Sequence, residues 1–231
     1  MIFATVATLT ALSVLQQVPD SSRPDTLRRA RLADLEVTVV RRRDSLARVP
    51  MAVGVVGQDE LRRGQPTLGL DEALTTVPGV FVANRWNFSL DQRLSIRGFG
   101  SRANFGIRGV KVFLDGVPQT LPDGQSQLSN VEFGSLDRIQ ALRGASSALY
   151  GNASGGALLL ESEPPGGEPV GLSARVEGGS FGSAKWLVRG TGRSGPVSGS
   201  LLLSRFTTDG FRQHSAADLR QLAGALTYAF S

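Results

Sequence analysis

The chain has 231 residues, of which 41% are hydrophobic and 19% charged, and this balance excludes a disordered tail and a bundle of transmembrane helices. It contains no cysteine and a single histidine, His214, which excludes disulfides, thiolate chemistry and a metal site built from several histidines. The net charge of +5 comes mainly from arginines near the N-terminus rather than from a basic stripe along the chain, so nucleic-acid binding is not expected.

The N-terminal segment is predicted to direct export. Residues 2–15 are apolar but too few to span a bilayer as a helix, which is typical of the hydrophobic part of a secretory signal. Because no Lys or Arg precedes this run, a buried helix of a soluble domain is the alternative. We assign residues 1–19 to a signal peptide and residues 20–44, which begin in a polar and unpatterned stretch, to a flexible linker.

The middle of the chain alternates short strands, short helices and glycine-rich loops. Thr67 is expected to cap a helix over residues 68–77, whose apolar residues form a stripe, and Pro78 and Gly79 end it. Ser135 is expected to cap a second helix in the same way. Strands are predicted at residues 37–40, 51–56, 80–83, 94–97, 110–114 and 155–161, and short helices at 58–63, 136–139 and 145–149.

Beyond the Pro-Pro-Gly-Gly boundary at residues 164–167 the pattern has a two-residue period. Apolar and polar residues alternate in the segments 170–177, 186–191, 197–206 and 221–230. The alternation is less regular at 197–206. Segments of about ten residues with this period are typical of antiparallel transmembrane β-strands, but a half-buried soluble sheet produces the same alternation. The pattern alone leaves both interpretations open.

The chain contains no recognisable catalytic motif. Residues 98–103 fit the dinucleotide fingerprint, but the sequence that follows has no helical pattern. Residues 151–155 have the wrong spacing for a nucleophile elbow. We therefore predict that the protein is not an enzyme, that it has no catalytic residues and no cofactor, and that it holds no resident metal.

Four short strings carry more information. They are LTTVPGV at 74–80, SIRGFG at 95–100, VFLDGVP at 112–118 and DRIQALRGASSALYG at 137–151, the last followed by GGA at 155–157. In this order they resemble the plug domain of TonB-dependent outer-membrane receptors. Two residues depart from the family pattern: Gln140 stands where glutamate is usual, and Ala145 where proline is frequent.

The resemblance implies a fold in two parts. The first, at residues 45–165, is an α+β plug domain with a small mixed sheet and short helices. The second, at residues 170–231, holds the first antiparallel strands of a transmembrane β-barrel. The barrel is expected to be incomplete, because the second part has room for only about four strands of 9–11 residues. Residues 209–212 (DGFR) also resemble a family string between early barrel strands, which favours the membrane interpretation of the alternation.

The resemblance also implies a function. It indicates a receptor in the outer membrane, exported through the periplasm and surrounded by outer-membrane lipid, that actively takes up a scarce ligand such as a ferric siderophore or a similar chelate. The implied protein partner is TonB, within the energy-transducing TonB–ExbB–ExbD complex. The alternative is a secreted soluble α+β/β module that binds a ligand without a membrane or TonB.

One segment in the predicted linker resembles the TonB box. Its residues are Glu36, Val37, Thr38, Val39 and Val40. Such a segment binds its partner by adding a strand to the edge of a sheet, which suits a β-branched sequence. The alternative is that these residues form the first strand of the domain.

Two arginines are candidates for contacts between plug and barrel. Arg97 and Arg143 lie beside glycines in otherwise apolar strings, and a buried arginine requires a carboxylate partner. The resemblance implies that glutamates on the inner barrel wall supply it. Exposed arginines at a strand edge are the alternative.

Three loops, at residues 84–92, 101–109 and 119–127, are expected to face the ligand. They combine cations, aromatic rings and amides, which suit an anionic and partly aromatic chelate. The candidate ligand-facing residues are Arg85, Trp86, Arg102, Asn104, Phe105, Arg108 and Gln125.

Overall fold

A computed structural model describes residues 35–38, 41–88, 90, 92–103, 106–165 and 168–230. The predicted signal peptide and most of the predicted linker lie outside the described residues. The helices are α1 (Gln58–Leu61), α2 (Leu70–Leu74) and α3 (Ser147–Tyr150). The strands are β1 (Glu36–Val37), β2 (Asp44–Ser45), β3 (Ala52–Gly57), β4 (Val80–Ala83), β5 (Arg93–Ile96), β6 (Val110–Leu114), β7 (Val117–Pro118), β8 (Leu136–Arg143), β9 (Gly156–Ser162), β10 (Val170–Gly178), β11 (Ala184–Ser194), β12 (Val197–Thr208) and β13 (Ala217–Tyr228). Within these ranges, no helix has the length and apolar character needed to cross a membrane.

A five-stranded mixed sheet organises the first part of the fold, in the order β3-β8-β9-β6-β7. β8 pairs antiparallel with both β3 and β9, whereas β9 pairs parallel with β6. The two central strands are apolar and buried, and Ile139, Ala141 and Leu158 have no exposed surface. The core lies around this sheet, where α2 adds Leu70 and Leu74.

The helix predicted at 136–139 is wrong. The chain forms a single 3-10 turn, Phe133–Ser135, and then the eight-residue strand β8. Glu132, and not Ser135, caps this turn, because its carboxylate accepts a hydrogen bond from the Gly134 backbone N–H at 2.9 Å. The strand forms because ladders on both of its edges satisfy its backbone groups, and this tertiary pairing outweighs local helix preference.

The first predicted helix, by contrast, is present but shorter. α2 begins after Gly69, which occupies the N-cap position without a side-chain bond. The predicted cap, Thr67, is wrong: it has a φ of 52°, and its hydroxyl accepts a hydrogen bond from Lys185 instead. The helix is followed by the antiparallel hairpin β4–β5, where the predicted strand at 80–83 is confirmed.

The loop after β5 depends on one glycine. Gly100 has a φ of 89°, and a Cβ atom at this position would lie 2.6 Å from the Leu94 carbonyl oxygen and 3.0 Å from that of Arg108. No other residue type fits so close to two backbone segments. Gly100 therefore holds the loop at 101–109 against the end of the hairpin.

Strands β10 to β13 form a four-stranded antiparallel meander. The connections at 179–183 and 209–216 lie at one end, and the two-residue connection at 195–196 lies at the other. One face covers the mixed sheet domain and buries Leu187, Leu202 and Phe206.

The other face of the meander points outward and is apolar. Val170, Leu172 and Leu226 remain 80–82% exposed, and Leu222 remains 69% exposed. A soluble protein rarely exposes a continuous apolar surface of this kind, whereas a lipid-facing strand requires it. The alternation is therefore that of membrane strands, and the secreted soluble module is disfavoured.

Candidate functional site

The predicted TonB box begins on the surface of the mixed sheet domain. Glu36–Val37 pairs as β1 with Asp44–Ser45, and the Val37 side chain is fully buried. It packs in a small apolar cluster that includes Phe113 and Tyr150. Val39 and Val40 lie outside the described residues. The described part of the box thus includes a short strand, in line with the alternative interpretation of these residues.

Thr38 anchors this segment through a polar contact with two central strands. Its backbone N–H donates to Gln140 Oε1 at 2.8 Å, and its hydroxyl donates to Glu161 Oε1 at 2.6 Å. Gln140 Nε2 also donates to Glu161 Oε1, at 2.6 Å. Gln140 is fully buried, so the residue that departs from the family pattern lies at the centre of this network.

A buried ion pair joins the meander to the mixed sheet domain. Lys185 of β11 and Glu132 have side chains only 6% and 4% exposed, and Lys185 Nζ lies 2.7 Å from Glu132 Oε1. Lys185 also donates to the Thr67 carbonyl and hydroxyl oxygens, at 3.0 and 3.1 Å. Ser204 of β12 donates to Glu132 Oε2 at 2.5 Å, so every contact in the cluster spans the two parts of the fold or caps the turn.

A second ionic contact lies where the chain passes into the meander. The Glu163 carboxylate forms ion pairs with Arg62 (Nη2–Oε2 2.7 Å) and with Arg189 of β11 (Nη1–Oε1 3.0 Å). Arg189 also donates to the carbonyl oxygens of Glu163 and Pro164. Arg175 of β10 donates to the Arg62 carbonyl oxygen at 2.9 Å. Sequence reasoning missed all of these residues, although Lys185 is one of only two lysines and lies on the inward parity of its strand.

The two arginines singled out from the sequence meet at one turn. The Arg97 backbone N–H donates to the Gly79 carbonyl oxygen, and Arg143 Nη1 donates to that of Pro78 at 2.8 Å. Arg97 is exposed with a φ of 50°, and Arg143 is half-buried. Among the described residues neither has a carboxylate within ion-pair distance, so a glutamate partner on another part of a barrel stays a prediction.

A cavity of about 830 Å³ lies between the loop at 84–88 and the connections at 179–183 and 209–216. Trp86 of the first predicted ligand loop lines it. The Trp86 and Phe211 rings meet edge to face at 6.1 Å, and Phe181 lies 6.1 Å from Phe211. The cavity therefore has an aromatic wall built from both parts of the fold.

Cations flank this wall. Arg212 lies over the Phe211 ring, with its Cζ atom 4.8 Å from the ring centre, and donates to the Arg85 carbonyl oxygen at 3.1 Å. Arg175 lines the cavity from β10. Arg85 and Trp86 lie on a loop that is evident in the sequence, whereas strand pairing brings Phe181 and Phe211 to the cavity and Arg212 beside Phe211.

The other two predicted ligand loops lie together, away from this cavity. Ile107 pairs with Ser126 and joins them. Asp123 receives Arg108 at 3.8 Å and the Gln125 backbone N–H at 3.0 Å. Arg102 is exposed on the same loop as Arg108. Asn104 and Phe105 lie outside the described residues.

Glu72 lines the cavity, and the pKa of its carboxyl group is raised. Its burial raises the pKa to about 7, against an opposing hydrogen bond from the Leu68 backbone N–H at 3.2 Å. Neighbouring Asp71 adds to the rise by charge repulsion. A half-buried acid in this range changes its charge near neutral pH.

Within the described part of the chain, no group of three or more His, Cys, Asp or Glu side chains could hold a metal ion. The cavity wall combines aromatic rings and the cations Arg175 and Lys185 with the carboxylates of Glu72 and Glu177.

The mixed sheet domain matches a known family. Residues 45–157 match the model of the TonB-dependent receptor plug domain. The chain belongs to the TonB-dependent outer-membrane receptors. This confirms the predicted α+β plug followed by antiparallel strands, and it places the chain in the outer membrane among receptors that are not enzymes.

Individual relatives agree in sequence and in fold. The pesticin receptor of Yersinia pestis is 30% identical over 160 residues, which are 67% of this chain and 22% of that protein. The ferrichrome outer membrane transporter and phage receptor of Escherichia coli K12 is 32% identical over 129 residues, or 54% of this chain and 16% of its own length. The structure of the pyoverdine outer membrane receptor from Pseudomonas aeruginosa PAO1, bound to pyoverdine, superposes with a TM-score of 0.68 at 18% identity, covering 84% of this chain and 28% of that one. The receptor chain described here thus spans less than a third of the length of these relatives.

Proposed function

We propose that this chain is the N-terminal part of a receptor that actively takes up a ferric siderophore or a similar chelate across the outer membrane. The observation that carries the proposal is the cavity between plug and meander, with its aromatic wall and flanking arginines. It lies at the end of the meander where the longer connections are, and in outer-membrane barrels the longer connections face the outside.

The size and chemistry of the cavity suit such a ligand. A volume of about 830 Å³ falls within the range of small-molecule sites. Trp86 and Phe211 supply aromatic surface, and the Arg212 guanidinium over the Phe211 ring attracts the negative charge of a chelate. Arg175 lines the cavity as an ion pair with Glu177. Relatives named for ferrichrome and pyoverdine support this class of cargo.

We propose that residues 36–40 are the TonB box, the segment that couples the receptor to its energy source. In this proposal the segment adds a strand to TonB of the TonB–ExbB–ExbD complex, which supplies the energy for uptake. Thr38 of the box contacts Gln140 of β8 and Glu161 of β9. None of these three residues lines the cavity. Ligand and energy partner would thus act on separate surfaces of one plug.

The carboxylate partners of Arg97 and Arg143 belong to the same proposal. Both arginines contact the Pro78–Gly79 turn, Arg97 through its backbone N–H, and Arg143 Nε has no hydrogen-bond partner in the described part of the chain. In a complete receptor, glutamates of barrel strands would approach this turn and lock the plug in place.

Uptake by cells tests the transport proposal. The intact receptor is expressed in iron-starved cells that lack their own receptors, and radioactive iron is supplied as a ferric hydroxamate, a ferric catecholate or haem. We expect one class to be accumulated in a manner that stops when the membrane potential is collapsed. If no class is accumulated above cells without the receptor, the transport proposal is wrong.

A deletion separates the box from the binding site. Without residues 35–40 the receptor is expected to bind the same chelate but to accumulate no iron. A deletion of equal length at residues 26–31 is the matched control and is expected to leave uptake unchanged. Uptake that persists without residues 35–40 would contradict the assignment of the box.

A further inference from the structure

The outward face of the meander carries one group of charges in an otherwise apolar band. Arg205 of β12 and Asp218 and Arg220 of β13 lie on this face. Their neighbours in the strand, Leu219 and Gln221, point the other way and contact the plug side. These three charges therefore face the surroundings of the protein and not its interior.

The three side chains form a compact cluster with an unequal charge. Asp218 receives Arg205 in a two-pronged contact, with Nε–Oδ1 and Nη2–Oδ2 distances of 3.0 and 2.9 Å. It receives Arg220 in the same way, at 3.3 and 2.8 Å. Two guanidinium groups share one carboxylate, so the cluster keeps one positive charge and several unused N–H donors. Arg220 is 71% exposed and presents its donors outward.

The cluster lies at one border of the apolar band. Trp186 is the cross-strand partner of Arg205, and the rows beyond it contain Leu203, Leu222 and Leu226. At the opposite border the rings of Tyr228 and Phe230 lie 4.8 Å apart. Aromatic residues typically mark the two interfaces of a membrane barrel.

The length of the band agrees with this placement. Arg205 lies eight positions along β12 from Val197, the partner of Tyr228. At about 3.3 Å per residue this distance is about 26 Å. A strand tilted by about 40° then crosses about 20 Å of membrane, close to the height of an apolar band in such barrels. The cluster therefore lies at headgroup depth, at the end that carries the longer connections.

We propose that Arg205 and Arg220 bind the phosphate group of an anionic lipid in the outer leaflet. An uncompensated cation is unfavourable beside hydrocarbon but favourable beside an anionic headgroup. The guanidinium group matches phosphate oxygens in geometry and charge. Asp218 holds the two guanidinium groups side by side, and Trp186 packs beside them at the interface. The site depends on the outer-membrane location and is independent of the transported chelate.

The test uses two substitutions with opposite effects on charge. The intact receptor is purified in detergent containing phosphatidylcholine and phosphatidic acid, and retained lipid is counted by native mass spectrometry. Arg220→Gln leaves a neutral pair and is expected to weaken retention of phosphatidic acid about fivefold, which corresponds to about 1 kcal/mol. Asp218→Asn raises the charge of the cluster and is expected to preserve or strengthen retention.

The control variant lies at the other end of the meander. Arg193→Gln removes a cation at the opposite end of β11 and is expected to change nothing. If Arg220→Gln fails to fold, Asp218→Asn still tests the sign of the effect, because a purely structural cluster would lose lipid in both variants. Equal loss in both variants, or no loss in Arg220→Gln, would overturn the proposal. Displacement of the lipid by inorganic phosphate at the same concentration would also overturn it, because the site would then be one for a free anion.

Discussion

Lys185 and Glu132 connect the first barrel strands to the plug through a buried contact. Lys185 is one of only two lysines, but a lysine in an alternating strand and an acid before a turn are each common on protein surfaces, so neither residue predicts a buried ion pair. Their meeting depends on the position of β11 over the 3-10 turn, which follows from strand pairing far along the chain. The electrostatics of this site could therefore not be predicted from local sequence, unlike the apolar core positions of the same strands.

Removal of the lysine should destabilise the receptor. Lys185→Met leaves the Glu132 carboxylate buried without a cation, and we expect the free energy of unfolding to fall by about 3 kcal/mol. Chemical unfolding of the intact receptor measures this loss. Lys111→Met, at the other lysine of the chain, is the matched control, and the double variant Lys185→Met with Glu132→Gln should recover part of the loss. A single variant as stable as the parent would show that the pair contributes little.

Glu72 should make the stability of the plug depend on pH. Its pKa rises from 4.5 to about 7 on folding. Between these two pH values the folded state therefore holds a proton that the unfolded state has lost. The resulting stabilisation is present below about pH 4.5 and disappears as the pH rises through about 7. Glu72→Gln should thus be more stable than the parent at pH 8, by about 2 kcal/mol after allowance for solvent, and nearly equal at pH 5.

Unfolding measured at both pH values checks this sign. Asp59→Asn, at an exposed acid of α1, is the control and should show no comparable difference between the two pH values. A Glu72→Gln variant whose advantage is larger at pH 5 than at pH 8 would contradict the assignment of the titration to this residue.

At the scale of elements, β1 depends on Gln140. The Gln140 amide serves as donor to Glu161 and as acceptor from Thr38, and a carboxylate cannot fill both roles. Gln140→Glu, the residue usual at this position in the resembling motif, would face Glu161 with a like charge. We expect the backbone amides of residues 37 and 38 to lose about 2 kcal/mol of protection, which is a rise of roughly thirtyfold in hydrogen exchange.

Hydrogen exchange of the intact receptor, read by mass spectrometry, measures this effect. Gln119→Glu changes a half-buried glutamine outside this network and is the matched control, with no expected effect on the box segment. Unchanged protection of residues 37 and 38 in Gln140→Glu would show that the apolar seat of Val37 holds the segment by itself.

Most elements could be predicted from periodicity, and the exceptions have a common cause. The strands at 80–83 and 110–114 follow from β-branched runs between turn residues. Residues 136–143, by contrast, carry no period that separates helix from strand, and the two flanking ladders decide their conformation. The cavity wall could be predicted only in part. Trp86 lies on a loop that is evident in the sequence, whereas Phe211 reaches the cavity through the pairing register of β12 and β13.

At the scale of the whole molecule, plug and meander share one interface with polar and apolar parts. The ion pairs of Lys185 and Glu163 lie within it, and the aromatic-walled cavity opens at one of its ends. A ligand that fills the cavity therefore contacts both parts at once. Under the proposed function, we expect occupancy of the cavity to change the contacts between the plug and the meander.

The order of strands in the mixed sheet also has a consequence in time. Ala52 pairs with Arg143, and Val110 pairs with Gly156, so strands that emerge early find their partners only after much more of the chain has been made. Such distant pairing slows folding and leaves edges open while the chain waits. A chain that emerges N-terminus first leaves β3 without its partner until β8 arrives, and it leaves the edge of β6 opposite β7 open until β9 arrives. We therefore expect the mixed sheet to be completed late in folding, after β9 has emerged.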